Sequence, residues 1–135
     1  MEQTALLTNR KKKNSTRLTK NSKIIKTIIA AIQEKKGNNI ISLDLRKIKE
    51  AVSDFFIVCE AGSGPQVRAI ADNVVDRVTE KCSESPYHHE GYSKLQWVLI
   101  DYVNVVVHVM LTETRKFYKL EEMWSDGVTD EYEEN

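Results

Sequence analysis

The chain has 135 residues, 41% hydrophobic and 30% charged, and its twenty basic side chains balance twenty acidic ones. That size and composition suit one domain with its own core, and the balance of charge gives no overall pull toward nucleic acid or an anionic membrane. The two cysteines form no CxxC pair and read as free thiols, and no apolar run suits a signal peptide or a bilayer span, so a cytoplasmic location is expected, with an organelle matrix as the alternative.

Charge is unevenly spread along the chain. Met1 to Lys23 carries seven Lys or Arg and one Glu, whereas Leu120 to Asn135 carries seven acidic residues and no basic one. Residues 1–21, including NRKKKNSTRLTKN, lack any period and are expected to form a basic flexible tail. Contact with RNA phosphates is its functional reading, and a solvated leader is the plain one. Ser22 suits the cap of a helix whose Ile24, Ile25, Ile28, Ile29 and Ile32 recur at helical spacing, with Gly37 at its stop. IISLDL then alternates as a half-buried strand does, and DFFIVCEA from Asp54 reads as a central strand covered on both faces. GSGP turns into a long helix, with Ser63 as cap, Pro65 in the first turn and a stripe from Val67 to Val78. After a polar loop around one short strand come two strands, Trp97 to Tyr102 and Val105 to Met110, joined by Val103-Asn104. One last helix is expected from Thr112 to near Ser125, with Phe117, Leu120, Met123 and Trp124 turned to the sheet, and residues 128–135 read as an acidic tail. Helices mixed with strands give an α/β fold with a mixed sheet.

A two-residue loop at Val103-Asn104 would put Val98, Ile100, Tyr102, Val105, Val107 and Val109 on one apolar face. Trp97, Leu99, Asp101, Val106, His108 and Met110 then share the other, with His108 opposite Leu99 and diagonal to Asp101. As a catalytic set this is thin, because no Ser or Cys shares that face to act as nucleophile. A histidine satisfied by a neighbour is the better account. Cys82, His88 and His89 fit no recognised zinc spacing. GSG before a helix offers phosphate-binding donors but lacks the Lys-Ser/Thr of a P-loop. Two-metal transfer chemistry needs clustered carboxylates, and Asp44 and Asp101 are single acids on separate strands.

Four blocks, SDFFIVCEAGSGPQVRAIADNV, HHEGY, WVLIDYVNVVVHVM and RKFYKLEEMWSDG, resemble in order and spacing those of the ribosomal silencing factor family, also called the Iojap family. The likeness covers roughly residues 22–127, taken as the domain. It implies a nucleotidyltransferase-like fold without that superfamily's catalytic carboxylates, no enzymatic activity and no cofactor. It also implies binding to the large ribosomal subunit through ribosomal protein fourteen, a block on small-subunit joining and lower translation when nutrients are scarce; organelle relatives assist large-subunit assembly. Matched by motif, the partner surface would include Trp97, Leu99, Asp101 and Tyr102, with Glu90, Gly91 and Tyr92 beside them. His108 would support that surface and Arg115 would add a charged contact, while Phe117, Tyr118 and Trp124 would lock the last helix onto the sheet. The basic tail would reach rRNA, no membrane is involved, and an exposed apolar sheet face would allow a weak homodimer. Val103 and Asn104 stand where the family has Gly and Asp in the turn, and Ala61 and Pro65 where it often has Gly and Arg.

Overall fold

The run Phe55–Ala61 is apolar along nearly its whole length and buried at all seven positions, as a strand covered on both faces must be. In the computed structural model, which describes residues 18–134, it forms β2 in the interior of a six-stranded sheet. The other strands are β1 (Asn38–Asp44), β3 (His88–Glu90), β4 (Trp97–Asp101), β5 (Val105–Leu111) and β6 (Val128–Tyr132). Their order is β3-β4-β5-β2-β1-β6; β2 and β5 run parallel and every other neighbouring pair antiparallel, so the sheet is mixed.

Helices α1 (Lys23–Glu34) and α2 (Gly64–Cys82) lie antiparallel over one face of the sheet. The isoleucine stripe of α1 and Val67, Ile70, Val74 and Val78 of α2 pack on Phe55, Ile57, Val98, Ile100, Val105 and Val107. Ser63 caps α2 as expected, its hydroxyl accepting the Gln66 N–H at 3.3 Å, with Pro65 in the first turn. Ser22 stands at the start of α1 but does not cap it by its side chain; its hydroxyl accepts the Thr19 N–H instead. The opposite face of the sheet gathers Leu43, Leu45, Phe56, Val58, Leu99, Val106, Met110 and Leu120, with Trp97 and Trp124 at its margin.

The β4–β5 hairpin has the pairing that a two-residue loop dictates: Leu99 faces His108 and Asp101 faces Val106. Val103 takes φ 74°, the backbone region for which glycine is suited, and the Asn104 N–H donates to the Tyr102 carbonyl at 3.0 Å in a three-residue turn. The departure from glycine therefore leaves the register intact.

The C-terminal part departs from the sequence expectation. Lys119 adopts φ 49° and breaks the expected single helix into α3 (Thr112–Tyr118) and α4 (Leu120–Met123). A lysine in that conformation leaves no mark in the sequence, since glycine is the usual residue there. Residues 128–132, read as a tail, instead form β6 against the edge of β1, with Leu43 opposite Thr129. The strand is drawn in because β1 would otherwise expose its row of backbone groups. The buried Ser42 hydroxyl also meets the Tyr132 hydroxyl there at 3.0 Å. Of the expected basic tail, residues 1–17 lie outside the described residues. No helix among the described residues is long and apolar enough to cross a membrane.

Candidate functional site

Alternation along β4 and β5 puts Trp97, Leu99 and Asp101 on the same sheet face as Val106, His108 and Met110. Glu90 faces Leu99 from β3, so Glu90, Leu99 and His108 form one row across three strands. The Trp97 indole N–H donates to His108 Nδ1 at 3.0 Å. The His108 ring is 2% exposed and lies edge-on to Phe56, 4.7 Å between centroids. Burial pushes its pKa down to about 3, so at neutral pH it is an uncharged acceptor for Trp97. This hydrogen bond fixes the plane of an indole that is itself only partly buried.

From Trp97 the aromatic contacts run outward. Tyr118 lies 5.1 Å from Trp97 and Phe117 lies 5.0 Å from Tyr118, with tilted and edge-on geometry respectively. Phe117 is 78% exposed and Tyr118 48%. The expectation that both lock the last helix onto the sheet is therefore corrected for Phe117, while Tyr118 touches the sheet only through Trp97 at its margin. Of Phe117, Tyr118 and Trp124, only Trp124 packs with the core, edge-on to Phe56 at 5.8 Å. A helix unbroken at Lys119 would have put Phe117 and Leu120 on one stripe; the break sends Leu120 to the core and Phe117 to solvent. Met123, 71% exposed, is likewise outside the core.

Other expected contact residues take different positions. Leu99 is core on the Trp97 face. Asp101, only 1% exposed, accepts the Val103 N–H at 2.7 Å and so holds the strained turn. Tyr102 is buried with the core on the opposite, helical face, where Tyr92 is half-buried. Burial raises the Tyr92 phenol to about 12 and that of Tyr102 higher still. The expected set is thus divided by the sheet, and direct contact by Leu99, Asp101 and Tyr102 does not fit their burial. Gly91, at φ 93°, lets the loop after β3 lie against the Trp97 backbone, where any Cβ would collide with the Trp97 carbonyl. The Glu90 carboxylate lies 3.0 Å from His88 Nε2.

Arg115 is not a free charged contact. Its guanidinium donates to the Asn39 carbonyl at 2.6 Å, to Glu121 Oε1 at 2.6 Å and to Glu60 Oε1 at 3.2 Å. It ties α3 to β1, β2 and α4.

Chemically the arrangement offers little. His108 has no nucleophile beside it on its strand face, and its Nδ1 is engaged by Trp97. Asp44 is held well below the usual carboxylate range by the Arg46 guanidinium, 2.6 Å away. Asp44 and Asp101 lie on strands three spacings apart in the sheet, roughly 14 Å, too far to share one ion. Among the described residues no three His, Cys, Asp or Glu side chains are grouped to hold a metal. The Trp97 face is a partly apolar surface with exposed aromatic side chains beside it.

A family model described as ribosomal silencing factor during starvation matches residues 18–135. The chain belongs to this family. The ribosomal silencing factor of Halalkalibacterium halodurans is 34% identical over 113 residues, covering 84% of this chain and 95% of that protein. A crystal structure from Chromobacterium violaceum superposes with a TM-score of 0.71 at 36% identity, over 76% of this chain and 83% of that one. The mouse protein named for mitochondrial assembly of the ribosomal large subunit is 32% identical over 75 residues, 54% of this chain and 33% of its own length. The match to the family model continues through β6, eight residues past the boundary expected at 127.

Proposed function

We propose that this protein is a ribosomal silencing factor acting in the cytoplasm. It binds the large ribosomal subunit through ribosomal protein fourteen, and its bulk there excludes the small subunit, so that translation falls under nutrient limitation. No chemistry and no cofactor are needed for a steric block. Family membership supports the partner, and the indole of Trp97, held by His108 and flanked by exposed Tyr118 and Phe117, supports the surface.

Trp97 is the anchor in this reading, with Glu90 and Gly91 on the adjoining strand and loop. Leu99, Asp101 and His108 keep the hairpin in shape, Tyr92 and Tyr102 hold its other face, and Arg115 positions α3. The basic leader adds contacts to rRNA, and a weak homodimer would use the same exposed aromatics when no ribosome is bound.

The test is co-sedimentation of purified protein with large subunits, followed by addition of small subunits. Wild type is expected to bind stoichiometrically and to prevent joining. Trp97→Ala is expected to lose about 2 kcal/mol or more of affinity while remaining folded by circular dichroism. Full retention of binding by Trp97→Ala would remove this surface from the proposal. A second reading, assistance in large-subunit assembly, is favoured by the name of the mouse relative. Binding without a block on joining would select it.

A further inference from the structure

The protein is neutral overall, yet its described cations are not evenly neutralised. Arg46, Arg68, Arg77 and Arg115 each lie within ion-pair distance of a carboxylate, and Lys20 lies 3.6 Å from Asp130. Lys23, Lys26 and Lys81 do not share this pattern. All three are exposed, and together with Asn21, Thr27 and Ala30 they line an open groove of about 410 Å³ where the start of α1 meets the end of α2. Among the described residues no carboxylate lines that groove.

For Lys23 and Lys26 the placement is electrostatically unfavourable within the chain alone, whereas Lys81 stands at the favoured, C-terminal end of α2. Lys23 and Lys26 stand in and just after the first turn of α1, at the positive end of the helix dipole, where acidic side chains are favoured and none occurs. The Ser22 side chain does not cap this end, leaving first-turn N–H groups without a side-chain acceptor. Lys81 brings a third positive charge from α2, and the leader preceding α1 in sequence carries six more Lys or Arg. Three exposed ammonium groups along an open groove, with no aromatic side chain among its described lining residues, match a line of phosphates and not a single small anion.

We infer that the Lys23–Lys26–Lys81 groove is a second contact surface that takes the phosphate backbone of RNA. This rests on the large-subunit reading above, in which that RNA is ribosomal. The groove opens from the helical side of the sheet, whereas Trp97 belongs to the other face, so one molecule can hold protein on one side and RNA on the other.

The experiment titrates full-length protein against large subunits across about 50 to 200 mM salt and compares the slopes of log affinity against log salt. The Lys23→Gln/Lys26→Gln/Lys81→Gln variant keeps helix-favouring residues at exposed positions and is expected to fold. Its slope should be shallower by about 2, with affinity at the low-salt end reduced about tenfold or more, because each lost phosphate contact removes roughly 0.7 to 0.9 from the slope. Trp97→Ala should weaken binding with the slope unchanged. A triple variant that matches wild type in slope and affinity overturns the groove and leaves the silencing reading standing, even if deletion of residues 1–17 flattens the slope. Absence of wild-type binding to large subunits defeats the silencing reading instead. Anisotropy with a short A-form RNA duplex then decides the groove: duplex binding lost in the triple variant supports it, and equal binding, or none, in both proteins overturns it.

Discussion

Trp97 and His108 show how a polar pair can sit on an otherwise apolar sheet face. The imidazole is uncharged, and its one engaged nitrogen serves the indole N–H. Because the folded pKa, about 3, lies below that of a free histidine, the unfolded chain binds the extra proton first as pH falls. Stability from this group is fully present above pH ~6.5 and declines from there down to about 3. His108→Asn keeps an acceptor near the Nδ1 position but cannot titrate. Urea denaturation at about pH 7 and about pH 5 should show wild type losing roughly 2 kcal/mol more than the variant, although the smaller side chain lowers the variant at both. Parallel losses in the two proteins would mean that other groups control the acid response. Val103 belongs to the same scale: a β-branched residue at φ 74° is tolerated because the Asp101 carboxylate accepts its N–H.

Among the elements, α3 owes its position less to packing than to one guanidinium. It has no buried residue, yet Arg115 links it to Glu60, Glu121 and the Asn39 carbonyl. Glu60 is 8% exposed, so removing its partner leaves a nearly buried carboxylate unpaired. Arg115→Met should cost about 3 kcal/mol or more in urea denaturation, and adding Glu60→Gln should recover part of it. The recovery separates this account from simple loss of side-chain packing. Strand β6 offers a second test. Deleting residues 128–135 uncovers the edge of β1 and leaves Ser42 without Tyr132. A loss of about 1 to 3 kcal/mol is expected, together with self-association seen by sedimentation velocity as the bare edge pairs between copies.

For the whole molecule, the sheet separates the two proposed contact surfaces, an aromatic one around Trp97 and a basic one between α1 and α2. Their contributions to large-subunit affinity should add within about 0.5 kcal/mol when Trp97→Ala is combined with the three lysine substitutions, since no partner is shared. Marked non-additivity would show that the two surfaces meet one element of the partner. The amino-acid sequence by itself determined the central strand, the two long helices, the hairpin register and the family, because burial on one face writes a period of 2 or 3.6 into neighbouring residues. Which residues of the candidate surface face solvent was decided only by tertiary structure. Asp101 turned inward because the loop N–H of Val103 lies within its reach, and Arg115 was consumed by Glu60, fifty-five residues earlier in the chain. Phe117 was released to solvent by a backbone break at Lys119, and β6 formed because a distant strand edge was open to it. Each depends on a conformation or partner that no local period encodes, and only the folded chain brings those groups together.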